Sequence, residues 1–161
     1  MFERNSHCSY CGSPHISGTP WPRTCDACGK RSYLNPLPVV VAIVPMAGGL
    51  VAVRRNIEPA RGTLTFPGGY LDLHETWQEG ASRELLEETG ILVPADQFTL
   101  YDVANGLDDT LVIMGMASPR SVECLKPFSS EETQEVVVLD RFQQLGFPLH
   151  TQVAARYFNE K

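Results

Sequence analysis

At 161 residues, with 43% hydrophobic and 20% charged residues, the chain has the balance of one soluble globular domain, or of one domain plus a small module. Its formal net charge of −6 argues against broad, unspecific binding to nucleic-acid phosphates, although metal ions can bridge an acidic chain to an anionic ligand. No apolar run approaches the roughly 20 residues that span a bilayer, and the opening MFERNSHCSYCG lacks the charged-then-apolar order of a signal peptide, so a cytoplasmic location is expected.

Residues 1–34 read as a separate module. Cys8-x2-Cys11 and Cys25-x2-Cys28 stand 13 residues apart, and each pair is followed by glycine, Gly12 and Gly29. Each pair can form a tight knuckle that offers two thiolates to one tetrahedral Zn²⁺. Pro14, Pro20 and Pro22, with few aliphatic residues around them, leave too little to bury without such a staple. The spacing is that of a zinc ribbon with structural zinc. Redox-active Cys-x-x-Cys pairs belong in a βα context that is absent here. His7 and His15 are alternative ligands, but four cysteines already complete the shell. The fifth cysteine, Cys124, has no histidine neighbour in sequence and reads as a passive thiol.

Residues 35–161 form the second module, entered through the proline-punctuated link Tyr33 to Pro38. Val39 to Val44 is a β-branched apolar run that predicts a buried strand, and Leu50 to Val53 predicts its hairpin partner across Ala47-Gly48-Gly49. Arg54 and Arg55 follow, placed either to clamp a nucleotide anion or simply to end a solvated strand. A loop over 56–63 leads to a brief strand, Leu64-Thr65-Phe66, and then to a Pro67-Gly68-Gly69 turn where backbone can approach a ligand. Phe66 and Gly68, with the two arginines, are the candidates for contact with substrate.

Thr76-Trp77-Gln78-Glu79 fits a capping box and Gly90 fits the left-handed end of the helix that the box begins. At 100° per residue Glu84, Glu87 and Glu88 share one face, while Leu85 and Leu86 should point toward a core. Three carboxylates so close repel one another unless cations sit among them, and such hard oxygen ligands suit Mg²⁺ or Mn²⁺. Arg83, one turn from Glu79 and Glu87, can orient a carboxylate. Considered alone, the helix is read first as a solvated face with ordinary ion pairs.

Phe98 to Val103 and Leu111 to Ala117 predict two more strands joined near Asn105-Gly106, with Met114 and Met116 as core packing and Tyr101 as a structural residue. Pro119 to Ser130 is a polar loop expected over the active site. Ser129 to Glu135 brings three acids ahead of the strand Val136 to Leu139. Pro148 opens a terminal helix that turns Val153, Ala154, Tyr157 and Phe158 to the sheet. Strands with one mid-chain helix and one terminal helix predict an α/β sandwich, a mixed sheet between helices.

The frame around the glutamates is more specific than the helix. Gly69, five residues, Glu75, seven residues, then Arg83-Glu84-Leu85-x-Glu87-Glu88-x-Gly90-Ile91 resembles the Nudix box at every defined position. The resemblance implies an α/β/α sandwich and metal-dependent hydrolysis of the pyrophosphate bond of a nucleoside diphosphate linked to another moiety. It implies that Glu84 and Glu88 ligate Mg²⁺ or Mn²⁺, with Glu87 as a further ligand or a base and a carbonyl from Gly68-Gly69 beside them. Family members often add a later glutamate, for which Glu132 and Glu135 are the candidates and Glu131 a lesser one. Glu75 is expected to hold the box loop.

A cysteine-paired ribbon ahead of a Nudix box is similar to two groups, the NADH pyrophosphatases and a shorter class acting on ADP-ribose or FAD. The Gln-Pro-Trp array of the first group is absent from Phe98 to Leu111, as is the proline that marks many ADP-ribose pyrophosphatases. The short ribbon, Tyr33-x-Asn35-Pro36, Arg55-Asn56-Ile57-x-Pro59-x-x-Gly62 and Glu131-Glu132-x-x-Glu135 resemble the shorter class, which puts FAD and ADP-ribose ahead of NADH. Two rivals stand beside this reading. One is a nucleotide-sensing regulator, which would typically have lost box glutamates. The other is an enzyme of capped RNA ends, for which Trp21, Arg23, Lys30 and Arg31 offer thin basic and aromatic support. A homodimer is the family's common state.

Overall fold

A computed structural model describes residues 5–159 and divides the chain into two compact units that meet in sequence at Pro36 and Leu37. In the first unit each Cys-x-x-Cys-Gly segment closes a knuckle. The Gly12 N–H donates to the Cys8 carbonyl (3.0 Å) and the Gly29 N–H to that of Cys25 (2.8 Å). Both glycines have φ near 70°, which a side chain would resist. Strands β1 (Arg23–Thr24) and β2 (Arg31–Ser32) pair antiparallel on either side of the second knuckle.

The second unit holds β3 (Leu37–Ile43), β4 (Pro45–Met46), β5 (Gly49–Arg55), β6 (Leu64–Thr65), β7 (Gly68–Tyr70), α1 (Trp77–Thr89), β8 (Phe98–Asn105), β9 (Thr110–Ala117), β10 (Thr133–Leu139) and α2 (Pro148–Asn159). They form two sheets. One has the order β7-β3-β9-β8, mixed because β3 and β9 run parallel. The other has the order β10-β5-β4, with β6 also on β5, and is antiparallel throughout.

Strand β3 lacks polar alternation because both of its faces are buried. Val40 and Ala42 join a core with Ala81 and Leu85 of α1, whereas Val41 and Ile43 join a second core with Val153 and Ala154 of α2. The layers are therefore helix, sheet, helix, the expected α/β/α arrangement. The expected hairpin is found only as a short one. Pro45 and Met46 pair back onto Leu50 and Gly49 and the Val51 N–H donates to the Val44 carbonyl (2.9 Å), while β3 leaves for the other sheet, where β9 offers seven paired positions. A proline at 45 cannot donate to a ladder, so the chain turns there and changes sheets.

Helix α1 begins as its sequence predicts. Thr76 Oγ1 accepts the Glu79 N–H, the Glu79 carboxylate accepts the Thr76 N–H, and Gly90 closes the other end with φ 71°. Such a cap contributes about 1 kcal/mol. Leu85 is fully buried, but Leu86 is 43% exposed, contrary to the expectation that both face the core. One residue is a 100° step, and only Leu85 takes the inward direction. The loop before β10 also departs from expectation. Leu125 packs on the α1-side core and Phe128 lies against Gly90, so these apolar residues cover the end of α1 and do not line the cavity described below.

Candidate active site

The Pro67-Gly68-Gly69 segment is not a turn but the approach to β7, extended against β3 with Gly68 opposite Val41 and Gly69 opposite Val40. A side chain would meet a neighbour at either position. A Cβ on Gly68 would lie 2.2 Å from the Val40 carbonyl oxygen, and one on Gly69 would lie 2.5 Å from Glu84 Oε1. The glycines thus let the strand pass between β3 and the inner face of α1.

That inner face carries Glu84 and Glu88, both buried. The Gly68 N–H donates to Glu88 Oε2 at 3.1 Å. Burial pushes the Glu88 carboxyl up to about 8, with the Glu84 and Glu132 charges adding to the rise and the Gly68 N–H opposing it. Burial likewise raises Glu84, opposed by Arg83 and reinforced by Glu87 and Glu132. Two desolvated acids held close together store electrostatic cost that a cation would relieve.

Arg83 organises the outer edge of the cluster. Its Nη2 lies 2.6 Å from Glu75 Oε1 and its Nε 3.1 Å from Glu75 Oε2, a two-point grip. Its Nη1 donates to Glu84 Oε1 (2.7 Å) and Glu87 Oε2 (3.2 Å), and Nη2 also reaches the Tyr70 carbonyl. Glu75 Oε1 in turn accepts the Asp72 N–H, and its carboxyl is held below the usual range chiefly by the Arg83 hydrogen bonds. Arg83 and Glu75 therefore brace the loop ahead of the helix. Glu79, by contrast, is spent in the cap. Glu87, with 58% of its side chain exposed, stands outside the buried pair.

The later acids separate by direction. Glu132 is near enough to Glu84 and Glu88 to raise both, and its carbonyl accepts the Asn56 N–H at 2.7 Å. Glu135 points elsewhere: its Oε1 binds Arg54 Nε at 2.7 Å. The same pair decides between the arginines. Arg54 is held by Glu135 and the Gly62 carbonyl and does not line the cavity, whereas Arg55 does. Successive residues of a strand face opposite ways, so only one of the two can reach it.

That cavity, about 370 Å³, adjoins Gly68 and Gly69 and is walled mainly by apolar groups. Phe66 lines it. Tyr70, the loop from Asn105 to Asp108, Phe147 and His150 also line it and were not singled out by sequence. The one signal available for the last two was their place beside Pro148 at the start of a helix, which does not say what the helix start faces. Tyr101 instead packs with the α2-side core.

Among the described residues, the only group of three or more metal-ligating side chains with atoms within 4.8 Å of one another is Cys8, Cys11, Cys25 and Cys28. Sγ separations are 3.8 Å for Cys8–Cys28 and 3.6 Å for Cys11–Cys25. Four sulfurs about 2.3 Å from a tetrahedral centre stand about 3.8 Å apart, so the cluster fits one such ion. His7 and His15 lie outside this set. The box carboxylates do not converge so closely, being drawn instead to Arg83 and the Gly68 N–H. Their all-oxygen character and the burial of Glu84 and Glu88 nonetheless fit a hard divalent cation.

A family model for the NUDIX domain matches residues 35–157. Over 94 residues the chain is 29% identical to the NAD-capped RNA hydrolase NudC of Salmonella heidelberg, a stretch covering 58% of this chain and 36% of that relative. It thus spans about a third of the relative's length. A NUDIX hydrolase from Nitrosomonas europaea is similar in structure over 97% of this chain and 92% of its own, with TM-score 0.73 and 24% identity. A bifunctional NMN adenylyltransferase/ADP ribose pyrophosphatase from Francisella tularensis, solved with AMP and a manganese ion, covers 80% of this chain and 42% of its own, with TM-score 0.64 and 20% identity. No helix among the described residues is long and apolar enough to cross a membrane.

Proposed function

The chain belongs to the Nudix domain family of hydrolases, and from that premise we propose that it cleaves the pyrophosphate bond of an ADP-linked small molecule, with FAD and ADP-ribose ahead of NADH. The observation that carries this reading is the buried pair Glu84 and Glu88, set directly behind the two glycines that border an apolar cavity.

Glu84, Glu88 and Glu132 would hold Mg²⁺ or Mn²⁺, with a carbonyl of the Gly68-Gly69 segment. Glu87 stands by as an outer ligand or as base, and Glu135 is assigned to Arg54. The bound ion supplies charge neutralisation at the phosphate oxygens and lowers the pKa of a water. The chain's own residues supply the rest. Arg83 and the Gly68 N–H keep the carboxylates in place through turnover, which preserves the alignment that proximity catalysis needs. Arg55 offers positive charge to the anion at the cavity mouth. The apolar walls exclude water from the ring bound there. A water oxygen forms the new bond to phosphorus, the bridging P–O bond breaks, and a carboxylate of the cluster takes the water's proton. Zn²⁺ held by Cys8, Cys11, Cys25 and Cys28 serves the first unit as a structural staple.

The test is a hydrolysis panel with Mg²⁺ and Mn²⁺ over FAD, ADP-ribose, NADH, diadenosine polyphosphates and nucleoside triphosphates. Glu88→Gln should lose turnover by orders of magnitude and keep its fold. Silence across the panel would instead favour a nucleotide-sensing role.

The likeness to NAD-capped RNA hydrolases supports a second reading, in which the dinucleotide is an RNA 5′ end. Exposed Tyr10 and Tyr33, with Lys30 over the Tyr10 ring and Arg23 over Trp21, provide stacking surface for a single strand. A preference for NAD-capped RNA over free NAD separates the two.

A further inference from the structure

His150 takes no part in the chemistry proposed above, yet it sits in the first turn of α2 on the cavity wall with only 8% of its surface exposed. Its Nδ1 accepts the Phe66 N–H at 3.0 Å, which leaves the ring's hydrogen on Nε2. The ring stacks on Phe66 (centroids 5.5 Å apart, planes at 23°) and meets Phe147 edge-on (5.2 Å, 66°). Arg55 lies over the Phe147 ring at 5.4 Å, so the cation ends this run of rings. Burial, helped by the Arg55 charge, pushes the imidazole down to about 3, and it stays neutral. Tautomer and orientation are thus both set by contacts on the protein side.

The remaining donor has no use inside the protein. Among the described residues no acceptor takes the Nε2 hydrogen, and since His150 lines the cavity, that donor is open to whatever the cavity holds. The cavity it borders is apolar, so an aromatic ligand ring would fill the space and its in-plane lone pair would satisfy the donor.

We propose that His150 is a specificity-determining residue whose Nε2–H hydrogen-bonds a ring nitrogen of the adenine held in this cavity. The proposal rests on the reading of an ADP-linked substrate. Adenine suits the donor because its ring nitrogens accept without carrying hydrogen, whereas a base with an N–H at the same edge would oppose donor to donor. A site built around one such hydrogen bond rejects an analogue that lacks the acceptor far better than a greasy pocket can.

The experiment is equilibrium titration of the whole protein, with Mg²⁺ present, by AMP and by 1-deaza-, 3-deaza- and 7-deaza-AMP. One of the three analogues should bind about 10-fold more weakly than AMP, the loss expected when one hydrogen bond goes unmade. His150→Asn keeps an acceptor near the Nδ1 position for the Phe66 N–H but cannot reach the place of Nε2. It should bind AMP and that analogue equally, both about 10-fold more weakly than the wild type binds AMP. His150→Gln, which returns an N–H near the Nε2 position, should recover part of the discrimination. A purely structural role would lower affinity without erasing the difference between AMP and one analogue. Equal binding of all four ligands by the wild type, or a difference that survives in His150→Asn, overturns the proposal. Because binding is read without turnover, a silent hydrolysis panel with an intact deaza pattern would overturn the enzymatic reading alone.

Discussion

A Cβ placed on Gly69 would stand 2.5 Å from Glu84 Oε1, 2.7 Å from its carboxyl carbon and 2.8 Å from Oε2. The strand and the helix therefore approach as closely as a missing side chain permits, and the carboxylate fills the vacated room. The atom in the way is the end of a side chain rather than backbone. Gly69→Ala should for that reason fold with a stability change of about 1 kcal/mol or less, while the Glu84 carboxylate swings away from its place. A displacement near 1 Å at a reacting centre costs about 100-fold, so turnover should fall by at least that much. Thermal melts beside the hydrolysis panel check this, and near-native turnover in Gly69→Ala would take Glu84 out of the site.

The Glu88 carboxyl, raised to about 8, makes the metal-free protein sensitive to pH. The folded state binds this proton more tightly than the unfolded state, whose carboxyl titrates near 4.5. The contribution is fully present below pH 4.5 and is lost as pH rises through about 8, at about 1.4 kcal/mol per pH unit between them. Glu88→Gln removes that slope. In chelator the variant should melt higher than the wild type at pH 8, and divalent metal should stabilise the wild type but not the variant. Parallel melting curves for the two proteins between pH 5 and 8 would contradict the buried acid.

His150 runs the opposite way. Its folded pKa of about 3 lies below the ordinary histidine value, so the unfolded state binds the extra proton. Its contribution is present above about pH 6.5 and is lost as pH falls toward 3, again at about 1.4 kcal/mol per unit. His150→Asn should flatten the acid limb of the stability curve between pH 6.5 and 4. A difference between the two proteins that stays constant over that range would show the imidazole is not kept neutral.

Removing Arg83 leaves Glu75 and Glu84 without their common partner. With 27% of the Arg83 side chain exposed, solvent screens part of the loss, and Arg83→Ala should cost about 2 kcal/mol. Lysine at this position keeps the charge but not the two-point grip on Glu75, so Arg83→Lys should recover less than half. A double-mutant cycle with Glu75→Ala should give a coupling above about 0.5 kcal/mol. Additive losses would place the brace elsewhere.

Sulfur separations of 3.6 and 3.8 Å predict one zinc ion per chain in purified protein. Cys25→Ser should reduce that content to near zero and unfold the first unit, seen as a shift in Trp21 fluorescence in a Trp77→Phe background. Retention of stoichiometric zinc by the variant would count against the four-cysteine cluster.

The box, its helix cap and the cysteine knuckles were legible in the sequence because each is local. Thr76 with Glu79, Gly90, and the glycine after each cysteine pair act within a turn or two of the chain, where spacing alone sets geometry. The buried strand β3 was legible for the same reason, since a β-branched run announces burial on both faces. Its partner was not, because pairing with β9 across about seventy residues depends on the whole sheet. The inward face of Leu85 and the outward face of Leu86, the choice of Arg55 over Arg54, and the separation of Glu132 from Glu135 all rest on which neighbour lies beside each residue. His150 shows this most plainly. A lone histidine near a helix start says nothing until folding sets it between Phe66 and Phe147, where one nitrogen is spent on the backbone and the other is left to the cavity. The glutamates of the box stood out in the linear frame, whereas the wall of the apolar cavity came together only when β3, β9 and α2 met.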